Sequence, residues 1–150
     1  SVMTKIETVR AAMVAAMKAQ DKPRKNALSM LLSALKNAEI DKREPLTEDE
    51  ANVVVKKEIK QTQETYDTAP ADRQDIRDEA AVRLAVYKEF APADMTADQI
   101  REVIAQVLAE LNIEAPAAKD KGAIMKVLMP RVKGKADGKV VNETLASMLK

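Results

Sequence analysis

The chain has no cysteine, no histidine and no tryptophan among its 150 residues. Without cysteine there is no disulfide, no thiolate nucleophile and no cysteine-based structural zinc site. Without histidine, every Ser-His or Cys-His arrangement is excluded, along with the commonest general base. Aromatics are nearly absent too: Tyr66, Tyr87 and Phe90 are the whole set. The core must therefore be aliphatic, with eight methionines as adaptable filler. Glycine occurs three times. No apolar run approaches the roughly 20 residues of a membrane span. The first residues lack the apolar stretch of a signal peptide, so a cytoplasmic setting with no membrane partner is expected.

What is present is charge and helical periodicity. Charged residues make up 33% and apolar residues 46%, the profile of a soluble helical domain with salt-laced faces. The net charge is only +1, but it is unevenly placed. Residues 119–139 carry seven lysines and arginines against two aspartates, a local excess of +5 on a body of −4. A basic module on an acidic body points to a local anion site.

The pattern predicts an all-α fold. Thr4 to Glu7 is spaced as a capping box, in which hydroxyl and carboxylate each satisfy a free helix N–H. Ile6, Val9, Met13 and Met17 follow as an apolar stripe. Asp21 is placed to cap a second helix with Pro23 in its first turn, buried through Leu28, Leu31, Leu32, Leu35 and Ala38. So short a break predicts an antiparallel hairpin. Thr47 to Glu50 is a second capping box, opening a helix whose inner face is Ala51, Val55, Ile59, Thr62 and Tyr66. After Ala69-Pro70, a fourth helix runs to about Phe90, with Ile76, Ala80, Leu84 and Tyr87 in register. Its charges, from Arg73 to Glu79, read as a solvated face.

Ala91-Pro92-Ala93-Asp94 reads as a boundary. It divides an N-terminal helical subdomain of about four helices, residues 4–91, from a C-terminal three-helix subdomain, residues 96–150. Thr96 to Gln99 is a third capping box, followed by Ile100, Val103, Ile104, Val107, Leu108 and Leu111. Asn112 to Pro116 is a linker. A helix over Asp120 to Val132 is buried through Ile124, Val127 and Leu128, and Pro130 is expected to end or kink it. Gly134 is placed as a left-handed stop. Asp137 can cap the last helix, with Val141, Leu145 and Met148 inward.

Between those last two helices lies Lys133-Gly134-Lys135-Ala136-Asp137-Gly138-Lys139, with two of the three glycines. Helix-start N–H groups carry partial positive charge, and Lys133, Lys135 and Lys139 add whole charges. A phosphate of a structured RNA is the natural guest, with Arg131 and Lys126 extending the patch. By composition alone the plainer reading, a solvated helix–helix turn, takes precedence. It is not a nucleotide-binding loop, because GxxxxGK[ST] spacing is absent. A second basic turn, with Lys18, Lys22, Arg24 and Lys25 beside Asp21, has an ordinary polar turn as its default. Glu48, Asp49, Glu50, Asp75, Asp78 and Glu79 have no catalytic signature, and helix-dipole placement explains them. Ser29, Ser33 and Ser147 lack an activating base. Neither a metal site nor a cofactor is expected.

The stretch from Lys133 to Asn142 resembles the signature turn of the GatB/YqeY family. Gly122 to Pro130 resembles the preceding helix of that family. Met30 to Ile40 and Tyr87-Lys88-Glu89-Phe90 are similar to its stand-alone members. The resemblance spans essentially the whole chain. It implies an all-helical fold whose C-terminal unit also forms the tail of the GatB component of the glutamyl/aspartyl-tRNA amidotransferase, where it helps hold the tRNA body. It implies tRNA as partner, with Lys133, Lys135, Lys139, Arg131, Lys126 and Asn142 at the RNA and Gly134 and Gly138 shaping the turn. A label of carbon-nitrogen ligase with glutamine as amide donor also comes with it, although the chain has no nucleotide loop and no glutaminase nucleophile. The alternative is an adaptor that docks an amidotransferase or an aminoacyl-tRNA synthetase without touching RNA. An enzyme acting alone ranks last. Two residues depart from the family pattern. Lys126 stands where Gly is common, and Ser29 where Arg is common.

Overall fold

Each of the three threonines marked as a cap starts a helix. The Oγ1 of Thr4 accepts the Glu7 N–H and the Glu7 carboxylate accepts the Thr4 N–H, both at 3.2 Å, opening α1 (Lys5–Lys18). Thr47 and Glu50 do the same for α3 (Glu48–Thr68) at 3.1 and 2.9 Å. Thr96 and Gln99 open α5 (Ala97–Glu110) at 3.1 and 2.9 Å. Each reciprocal pair satisfies two N–H groups that a helix cannot bond internally. Asp21 caps α2 (Lys22–Lys42) by accepting the Arg24 N–H at 3.1 Å, with Pro23 in the first turn.

The remaining helices are α4 (Gln74–Lys88), α6 (Lys121–Val132) and α7 (Gly138–Met148), with a 3-10 turn at Ala118–Asp120. This computed structural model describes residues 2–150, and among them there is no strand. The fold is all-α, four helices followed by three.

Two compact units follow, one ending at Ala91 and the other running Pro92–Lys150. In the first, Val9, Leu28, Leu31, Leu35, Val55 and Tyr87 are fully buried. Burying an aliphatic side chain of that size contributes roughly 1.5–3 kcal/mol. In the second, Ile100, Ile104 and Val107 of α5 pack with Ile124, Leu128 and Val132 of α6 and Val141 and Leu145 of α7.

Periodicity overreached at two helix ends. Met17 is 54% and Tyr66 39% exposed. Both continue an apolar stripe past the last buried residue of their helix, Ala16 in α1 and Thr62 in α3. A stripe shows which face turns inward, not where the packing partner stops. Pro130 does not itself end the helix. The helix runs through it to Val132, and the N–H that Pro130 lacks removes one ladder bond without ending the element.

Three cations fasten the first unit. Arg77 donates to the Pro70 and Ala71 carbonyls, each at 2.9 Å, satisfying loop acceptors beyond the end of α3. Lys5, its side chain 14% exposed, donates to the Phe90 carbonyl at 2.6 Å and pairs with Glu48 at 3.1 Å. Arg24 meets Glu89 in a two-pronged pair at 2.6 and 3.1 Å, linking α2 to the end of α4.

Candidate nucleic-acid interface

The basic turn is built by α6 ending and α7 starting within five residues. Lys133 donates its N–H to Met129 at 2.9 Å, and Lys135 and Ala136 donate to Val132 at 2.9 and 3.0 Å. Between them Gly134 has φ 79°, the left-handed region where a side chain crowds the backbone. Gly134 is buried, so the turn is pinned inward at this point while its lysines stay outside. The segment before α5 braces it, as Met95 donates its N–H to the Lys135 carbonyl at 2.9 Å.

Gly138 does not shape the turn. It is the first residue of α7 and has no positive φ. A Cβ built on it meets nothing within 4 Å. The expectation that both glycines are conformationally required therefore holds for Gly134 alone.

The start of α7 is already occupied by a carboxylate. Asp137 Oδ1 accepts the Lys139 N–H at 2.7 Å, and Asn142 donates its side-chain amide to the Gly138 carbonyl at 2.9 Å. Asp137 uses the dipole at the N-terminus of α7 and places a negative charge where an incoming phosphate would need a positive one. The anion-attracting part of this surface is thus the lysine side chains, not the helix end.

Those side chains do not form a single cluster. Lys126 and Lys133 are both exposed and seven residues apart, close to two full turns. Lys126 lies within α6 and Lys133 caps its C-terminal end, a line of about 10 Å along the axis. Lys119 precedes Lys126 by the same interval and is exposed as well. Arg131 lies well away from that line and forms an ion pair with Glu110 at the end of α5. The pairing raises the Arg131 pKa and lowers that of Glu110, chiefly through the hydrogen bond between them. Lys135 and Lys139 are exposed on the turn and the first turn of α7.

Exposure also decides what Lys126 does in place of glycine. Its side chain is outside the helix contacts, so the residue adds charge to the surface and does not alter packing. Among the described residues, no three acidic side chains are grouped to hold a metal ion. No helix there is long and apolar enough to cross a membrane.

A family model described as Yqey-like protein matches residues 6–149. No curated protein matches the chain.

Proposed function

The chain belongs to the family of Yqey-like proteins, and from that premise we propose that it is a non-catalytic module that binds tRNA in amidotransferase-type processes. The observation supporting this reading is the pair of exposed lysines Lys126, within α6, and Lys133, at its end, continued onto the turn by Lys135 and Lys139. Each lysine set against a phosphate releases condensed counterions, a driving force independent of base sequence. Such contacts recognise the shape and backbone of a folded RNA. Splayed bases have no ring to stack on beside these lysines, because residues 92–150 hold no tyrosine, phenylalanine or tryptophan.

No ligase step is assigned to this chain, and the reading calls for no cofactor. In the acidic run that opens α3, Glu50 completes a capping box and Glu48 pairs with Lys5. An amide transfer in which this protein takes part would draw its chemistry from a partner amidotransferase or synthetase.

The test is equilibrium binding of total tRNA across a salt series, with Lys126→Glu/Lys133→Glu/Lys139→Glu alongside. Binding that weakens steeply with salt and is lost in the folded variant supports the proposal. A wild-type chain that binds no tRNA at low salt, or a variant that binds as well, ends it.

A further inference from the structure

The start of α7 offers much of what a single phosphate needs. Gly138 is exposed, and a Cβ built on it meets nothing within 4 Å, so the space beside it is open. An α-helix leaves its first N–H groups without internal partners, and their partial positive charge attracts anions. α7 is 11 residues long, so that charge belongs to a full helix. Lys133, Lys135 and Lys139 are all exposed in the same stretch of chain.

One group stands against this. Asp137 Oδ1 accepts the Lys139 N–H at 2.7 Å, and the residue is exposed. A phosphate seated on the helix start would lose that N–H and meet a negative charge beside it. Capping by itself does not call for the charge. The neutral hydroxyls of Thr4, Thr47 and Thr96 do the same work at α1, α3 and α5. With the space open, charge and not shape keeps an anion from the α7 start.

Two kinds of anion feel this differently. An isolated phosphate carries its charge on one group and depends on the helix N–H groups to hold it. A lone exposed lysine contributes little to such a contact. A polyanion sums its contacts over several lysines, each releasing counterions. The ammonium groups ride on flexible four-carbon stems, so its phosphates can meet them without entering the helix start.

We propose that Asp137 sets the ligand class of this surface. Its carboxylate denies the α7 start to an isolated phosphate, inorganic or on a mononucleotide, and leaves the turn to a polyanion held by lysine side chains. The same charge holds the affinity for that polyanion down. The polyanion is the tRNA of the proposed function, and this half of the assignment rests on that reading.

Asp137→Asn removes the charge and keeps a good cap, and Asp137→Ser does so with a shorter side chain. Asp21→Asn is the control. Asp21 caps α2 and lies beside Lys22 and Lys25, so its replacement makes the same change in net charge at the other basic turn. Inorganic phosphate is titrated into each isotope-labelled full chain at constant ionic strength, and the amide resonances of Gly138 and Lys139 are followed. Total-tRNA affinity is measured in parallel at low salt, and folding is checked by circular dichroism. In wild type and Asp21→Asn the two amides stay in place, whereas in both Asp137 variants they shift and saturate. tRNA binding tightens by about two- to fivefold in the Asp137 variants, the effect of one charge at a helix start, and is unchanged in Asp21→Asn. Saturating shifts in wild type, none in the folded Asp137 variants, or equal tightening in Asp21→Asn would overturn the proposal. A gain of phosphate binding in the Asp137 variants, beside a wild type that binds no tRNA, upholds the exclusion of phosphate and ends the tRNA reading, so the two can fail separately.

Discussion

Lys42 Nζ lies 2.6 Å from Glu50 Oε1 across the turn between α2 and α3. The same carboxylate oxygen accepts the Thr47 N–H at 2.9 Å, and the same ammonium donates to the Pro45 carbonyl at 3.2 Å. One side-chain pair therefore joins the end of one helix to the cap of the next. The Lys42 hydrogen bond first, then the Thr47 N–H, pull the Glu50 carboxyl from its ordinary 4.5 down to about 2.

A depressed carboxyl pKa stabilises the folded chain above the unfolded value and ceases to do so as pH falls through the folded one. The relevant window for Glu50 runs from about 4.5 down to about 2. Glu50→Gln lowers the thermal midpoint at neutral pH, and the gap to wild type closes across that window. Both midpoints, followed by circular dichroism at several pH values, check it. A gap that stays constant down to pH 2 would show that charge has no part in the contact.

The two glycines of the basic turn should respond oppositely to alanine. Gly134 is buried at φ 79°, where a Cβ costs about 1–2 kcal/mol. Gly138 opens a helix beside empty space, so alanine there is neutral or stabilises by a few tenths of a kcal/mol. Urea denaturation of Gly134→Ala and Gly138→Ala separates them. Equal destabilisation would mean that Gly138 is held by a constraint absent from the α7 geometry.

Those glycines show where sequence reading succeeds and where it stops. Gly134 is legible because a glycine after a helical stripe is a recognised stop signal. Gly138 looks the same in sequence, and only its backbone angles tell it apart. The three capping boxes are legible because both partners lie three residues apart, inside the range of local chemistry. The left-handed ends at Gln20 and Arg43 are not, since neither a glutamine nor an arginine announces such a bend. Sequence places Arg131 in the basic patch because its partner Glu110 is 21 residues away.

Tyr87 is fully buried, and its hydroxyl has no hydrogen-bond partner. Arg83 stands beside it without a well-formed bond, and burial pushes the phenol above its ordinary 10. An unmet hydroxyl in a core carries a desolvation cost that phenylalanine avoids. Tyr87→Phe should therefore leave stability unchanged or raise it by up to about 1 kcal/mol at neutral pH. A raised phenol pKa favours folding below pH 10 and weakens it as pH climbs through the folded value. Wild type should thus lose stability relative to the variant in alkaline denaturation. A marked loss in Tyr87→Phe at neutral pH would reveal a partner for the hydroxyl.

Arg131 and the Lys126–Lys133 line separate charge that is paired within the fold from charge exposed to solvent. Arg131 commits its guanidinium to Glu110, whereas Lys126 within α6 and Lys133 at its end are exposed. If RNA lies along that line, Lys126→Ala/Lys133→Ala flattens the slope of log affinity against log salt by about 2, roughly one unit per lost phosphate contact. Arg131→Ala should leave the slope nearly intact while modestly lowering thermal stability, because an exposed pair contributes little. The measurement is a tRNA titration at several salt concentrations for the three proteins. A slope that responds to Arg131 and not to the lysines would move the RNA off this line and onto the α5–α6 side. The Glu110 pairing would then have to open on binding, making the contact conditional on a competition between carboxylate and phosphate.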